Sequence, residues 1–148
     1  MNKNDKTIFF DALKDANNQL FLDAIASFQD YINKFPESNY IDDAVYNIAL
    51  CYYELNQFDK CIVTLDYLIE KFPDSKIDTS EVDNTYGLTK TKASYLMIQS
   101  FLGKNDLAKA EELTSLIESD KDSFIIKNDI KITFYDLAQN SLKLFESI

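Results

Sequence analysis

The chain has 148 residues, a formal net charge of −10, and only two glycines and two prolines. This length predicts one domain with its own core, and so few turn-forming residues disfavour a β-sandwich or barrel. All 15 basic residues are lysine and histidine is absent, which removes the commonest general base and metal ligand. We therefore expect no catalytic residue, no metal site and no cofactor. Because an acidic surface repels phosphates, we also expect no nucleic acid binding.

The sequence shows neither a recognisable targeting segment nor a cysteine motif. The apolar stretch that starts at Ile8 ends at Asp11, and this stretch is too short for the apolar core of a signal peptide. No run in the sequence approaches the roughly 20 apolar residues of a membrane span. We expect a soluble, cytoplasmic protein without membrane insertion, or a periplasmic one if the chain is a processed or truncated form. Cys51 and Cys61 form no paired motif, and we predict that both are small buried hydrophobes.

The chain contains an internal repeat. The segment Lys-Phe-Pro-Glu-Ser at 34–38 recurs as Lys-Phe-Pro-Asp-Ser at 71–75, an offset of 37 residues. The same offset relates Ala24 to Cys61, and a degenerate third copy places Ala110 49 residues after Cys61. Periods of about 20 to 50 residues are typical of solenoids built from stacked units.

Apolar residues recur at spacings of three and four in each unit, which predicts a pair of helices per repeat. Asn56 tolerates the left-handed conformation that ends a helix, while Pro36 and Pro73 stop the second helix of their units. After Ser123 a further apolar face predicts a capping helix. We expect one domain over 1–148, with repeat one at 5–38, repeat two at 39–75, a loop at 76–87, repeat three at 88–119 and the capping helix at 123–148.

These residues resemble the tetratricopeptide repeat. Ala24-x3-Phe28, followed by Pro36, matches the second helix of that family and its stop. The resemblance implies an all-α fold, an α-solenoid of about three helix pairs plus a C-terminal capping helix. The two Lys-Phe-Pro-Asp/Glu-Ser segments are also similar to the longer repeats of bacterial envelope members of the family.

The resemblance further implies that the first helix of each pair lines a concave groove. The mapped groove positions include Ala16, Asn17 and Glu54, and the expected partner-binding residues are Phe9, Leu13, Tyr46, Leu50, Tyr53, Tyr95 and Gln99. The alternative is that these rings pack on one another or on the terminal helix.

The function that the resemblance implies is a non-catalytic adaptor or scaffold that binds a protein or peptide segment in this groove. The net charge favours a basic or aromatic-containing peptide as the ligand. Two alternatives stay open: a homo-oligomeric structural protein that associates through the C-terminal helix, and an accessory regulatory subunit of an enzyme complex.

Overall fold

The structure is a computed structural model that describes residues 4–77 and 84–148. Helices dominate these residues, as the sequence predicts. The seven helices are α1 (Asp5–Asn17), α2 (Phe21–Lys34), α3 (Ile41–Glu54), α4 (Phe58–Lys71), α5 (Thr89–Gly103), α6 (Leu107–Leu116) and α7 (Phe134–Glu146). Three short strands complete the described part: β1 (Thr85–Tyr86), β2 (Phe124–Lys127) and β3 (Ile130–Thr133).

One turn recurs after the first helix of each predicted pair. Gln19, Asn56 and Asn105 have positive φ angles of 64°, 59° and 65°. In each turn the next backbone N–H donates to a carbonyl five residues earlier: Leu20 to Asp15 at 2.9 Å, Gln57 to Tyr52 at 2.9 Å and Asp106 to Phe101 at 2.8 Å. Such bonds satisfy carbonyls that the helix end leaves without partners. The left-handed conformation predicted for Asn56 is confirmed.

The chain divides into two compact units, Met1–Leu68 and Ile69–Ile148, whereas the sequence analysis treats it as one domain. In the first unit α2 packs against both α1 and α3. The rings of Phe9 and Phe28 lie 5.7 Å apart in this core, at 2% and 0% exposure. Full burial of one such ring contributes about 1.5–3 kcal/mol, so aromatic packing is a main source of stability in this unit.

In the second unit α5 packs against α6 and α7, around a core that includes Ile98, Ala110 and Phe134. This unit also has a three-stranded antiparallel sheet of order β1-β2-β3, in which β1 precedes α5 in the sequence while β2 and β3 lie between α6 and α7. The prediction of a helix throughout 123–148 is wrong for residues 124–133, because α7 begins only at Phe134.

The sequence reason for this hairpin is visible in retrospect. Lys127 pairs with Ile130 across a two-residue loop, and both loop residues, Asn128 and Asp129, have positive φ. Two left-handed residues form the turn whose twist matches a hairpin, and Asn and Asp are among the residues that accept it. The flanking isoleucines favour strands over a helix because they are β-branched.

A polar network connects the start of α5 with the segment before β2. The Ser123 hydroxyl donates to the Asp120 carboxylate at 2.6 Å and accepts from the backbone N–H of Leu88 at 2.9 Å, and Thr91 donates to the same carboxylate at 2.5 Å. Burial by itself raises the pKa of Asp120, but the hydrogen bonds outweigh it and lower that pKa. The charged carboxylate therefore stabilises this junction at neutral pH, and the stabilisation is lost as the pH falls through the lowered pKa.

Gly87 is required by the same junction. Its φ is +110°, and a Cβ atom at this position would lie closer than 3.0 Å to three atoms of Ser123. We therefore expect Gly87→Ala to lower the free energy of unfolding by about 2–4 kcal/mol, because it adds backbone strain to overpacking. The matched control is Gly103→Ala at the last residue of α5, where we expect little change or a small gain. Urea denaturation followed by circular dichroism compares the two variants, and equal effects would contradict this explanation.

Candidate functional site

In the second unit, α7 covers the first-helix positions that the sequence analysis assigns to a groove. The Tyr95 ring lies 5.7 Å from the ring of Phe134. The Gln99 side-chain amide donates to the Ser141 hydroxyl at 2.7 Å. Both residues of α5 therefore contact α7, which is the arrangement that the alternative interpretation describes.

In the first unit, Phe9 lies in the core. Its ring is 5.8 Å from the ring of Tyr31 and stacks on the ring of Tyr40 at 5.1 Å, and only 2% of the residue is exposed. A ring enclosed in this way contributes to folding, so we leave Phe9 out of the binding surface considered below.

Tyr46 and Tyr53 are both half-buried residues of α3. The ring of Tyr53 lies 5.5 Å from that of Phe58 at the start of α4. Tyr53 thus supports the packing of the second helix pair and leaves part of its surface accessible.

The first helices of repeats one and two, α1 and α3, present equivalent stripes. Helical spacing of four, three and four residues places four side chains on one face of each helix. The stripe on α1 is Lys6, Phe10, Leu13 and Asn17, and the stripe on α3 is Asp43, Asn47, Leu50 and Glu54. Each residue of the second stripe follows its counterpart by the 37-residue period, and α1 contacts α3. We call these two stripes together the α1–α3 face.

The α1–α3 face contains a depression of about 290 Å³ at the C-terminal ends of the two helices. Apolar groups from Leu50 and Phe21 and polar side chains share its wall. Its lining residues are Ala16, Asn17, Gln19, Phe21, Asn47, Leu50, Cys51 and Glu54. Pockets for whole drug-sized molecules begin at about 300 Å³, so this depression has the size for one side chain of a partner.

Glu54 is the acidic residue among those that line the depression. Cys51 is 2% exposed, and burial raises the pKa of its thiol to about 11, with a further contribution from the negative charge of Glu54. Glu54 and Cys51 both line the depression, so the carboxylate and the thiol belong to the same site. Both Cys51 and Cys61 are buried, as predicted.

The comparison with protein families agrees with the repeat register. Residues 43–75 match the model of the tetratricopeptide repeat family. This segment contains most of α3 and all of α4, and the packing of consecutive helices in the chain is that of a helical repeat protein with an all-α, tetratricopeptide-like fold. No curated protein shows significant similarity to the chain.

The described residues also bear on metal binding and on membrane insertion. Across residues 4–77 and 84–148, no group of three or more acidic or cysteine side chains is arranged to hold a metal ion. In the same described ranges, no helix combines the length and the apolar character that a membrane span requires.

The depression includes residues that the sequence analysis did not single out. Gln19 and Phe21 belong to the turn and to the next helix, so the contact positions of the tetratricopeptide first helix do not include them. Asn47 belongs to the same stripe as Leu50, and the spacing of three residues between them could have identified it.

The raised pKa of Cys51 leads to a direct prediction. An ordinary thiol has a pKa of about 8.5 and is mostly ionised by about pH 10, whereas we expect Cys51 to remain a thiol there. Replacement of the charge in Glu54→Gln should lower the pKa of Cys51 but not restore the ordinary value, because burial remains. The Cβ chemical shift of Cys51, followed by NMR across the pH range, measures both effects. A thiolate shift at about pH 9 in the unmodified protein would contradict the assignment.

Proposed function

We propose that the protein is a non-catalytic adaptor that binds a segment of a partner protein on the α1–α3 face. The observation that carries the proposal is the depression on this face. Four of its lining residues, Ala16, Asn17, Leu50 and Glu54, are contact positions that the resemblance to the tetratricopeptide repeat implies. Depressions of this kind hold individual anchor side chains in protein interfaces.

The composition of the face supports the same function. Leu13 and Leu50 are half-buried and occupy equivalent positions of the two stripes, with the amides of Asn17 and Asn47 beside them. A small apolar centre bordered by polar groups is typical of a protein interaction surface. The recurring Lys-Phe-Pro segments support the further proposal that the repeats are of the bacterial envelope type.

A second candidate is self-association through α7. Leu144 is 69% exposed on this helix, and Ile148, which follows it, is fully exposed. The two residues are four positions apart, a spacing that places side chains next to each other along one side of a helical path. This surface supports a homo-oligomeric structural protein in which a second copy covers α7.

The adaptor proposal is tested with a double variant of the α1–α3 face. We expect Leu13→Ala with Leu50→Ala to lower the capture of protein partners from the native source by more than tenfold, since an interface anchor contributes about 2 kcal/mol. The measurement is affinity capture followed by quantitative mass spectrometry, with thermal melts on the same samples.

The matched control is Leu22→Ala with Val63→Ala, because both side chains are 68% exposed on other helices of the same unit. It should capture partners as the unmodified protein does. Equal capture by the two double variants would contradict a binding role for the α1–α3 face. Recovery of further copies of this chain as the sole partner would favour the self-association candidate instead.

A further inference from the structure

The depression on the α1–α3 face lies where two helices end. The last residue of α1 is Asn17 and the last residue of α3 is Glu54, and both line the depression. The C-terminal end of a helix carries about half a negative elementary charge, because its final carbonyls point outward. Two such ends at one depression make it favourable for a cation.

Side chains add to this negative potential. Glu54 contributes a full negative charge at the rim, and the amide oxygens of Asn17, Gln19 and Asn47 can accept hydrogen bonds. None of the described residues that line the depression is basic. The last turn of α3 contains no basic residue, and Lys14 in the last turn of α1 is exposed and does not line the depression. The depression therefore offers acceptors and negative charge without a cation of its own.

The apolar part of the wall determines what kind of cation fits. Ala16, Phe21 and Leu50 line the depression together with the buried Cys51. A small inorganic ion gains nothing from such a wall, whereas the long side chains of lysine and arginine pack their methylene groups on apolar surface and keep the charged end among acceptors. The volume of about 290 Å³ suits one such side chain.

We propose that this depression binds one lysine or arginine side chain of the partner segment, with its cationic end at Glu54 and the two helix ends. This inference rests on the adaptor function proposed above and specifies the chemistry of the segment. The basic residue is an anchor at a fixed position, which differs from a general attraction of basic peptides to a protein of net charge −10.

The test is a selection of random 12-residue peptides displayed on phage against the full chain. Three proteins are compared: the unmodified protein, Glu54→Gln, and Glu112→Gln as a control that removes the same charge from an exposed position of α6. We expect the unmodified protein and Glu112→Gln to select peptides with lysine or arginine at one fixed position. With Glu54→Gln this preference should disappear.

Affinities of one selected peptide make the test quantitative. We expect Glu54→Gln to weaken binding about five- to tenfold, and replacement of the basic residue in the peptide by glutamine to weaken it to a similar extent. Glu112→Gln should change the affinity less than about twofold, because Glu112 is an exposed residue that does not line the depression. Asn17→Lys, which puts a cation into the depression from an exposed position, should abolish the preference in the same way.

The outcomes separate the two proposals. The inference would be overturned if the selected peptides lacked a basic residue at a fixed position, or if Glu54→Gln and Glu112→Gln weakened peptide binding equally. Either result would leave the adaptor function standing. Failure to select any peptide with the unmodified protein would count against both.

Discussion

The chain reverses direction after each first helix through a single left-handed residue, and the remaining features of the fold depend on this turn. Gln19, Asn56 and Asn105 adopt it without being glycine. The hydrogen bond from the following residue closes the turn and fixes where the second helix starts. Because the connection is so short, the two helices of a pair must pack side by side, which buries the apolar stripe of each.

The same turns create the candidate site. A turn that ends α1 at Asn17 and α3 at Glu54, 37 residues apart, places two helix ends at equivalent positions of successive repeats. Their partial negative charges then act at one depression, and the side chain of Glu54 adds to them. In the second unit the corresponding first helix is α5, and its residues Tyr95 and Gln99 contact α7. One repeated backbone pattern thus supports the proposed binding surface in one unit and the packing of a terminal helix in the other.

Much of the fold could be predicted because its signals are local and repeated. The 37-residue offset located α1 to α4, and the asparagine at position 56 marked a helix end. The hairpin at 124–133 was missed because the isoleucines on either side of Asn128 and Asp129 fit an amphipathic helix when only their spacing is read. Their β-branching and the paired turn residues carried the opposite signal.

The site was harder to predict than the fold. The repeat positions identified Leu50 and Glu54 as groove residues of a first helix. The same positions could not show that the side chain of Phe9 is buried in the core. That outcome depends on the rings of Phe28, Tyr31 and Tyr40, which come from other parts of the chain. Coverage of α5 by α7 likewise depends on long-range packing.

The most direct measurement of the central claim is an NMR titration of the isotope-labelled full chain with a blocked peptide that contains one lysine, compared with the same peptide carrying glutamine. A binding surface on the α1–α3 face predicts that amide shifts concentrate at residues 16–19 and 47–54, and that they shrink strongly with the glutamine peptide. Shifts that concentrate on α7 or on the hairpin, or that are the same with both peptides, would contradict it.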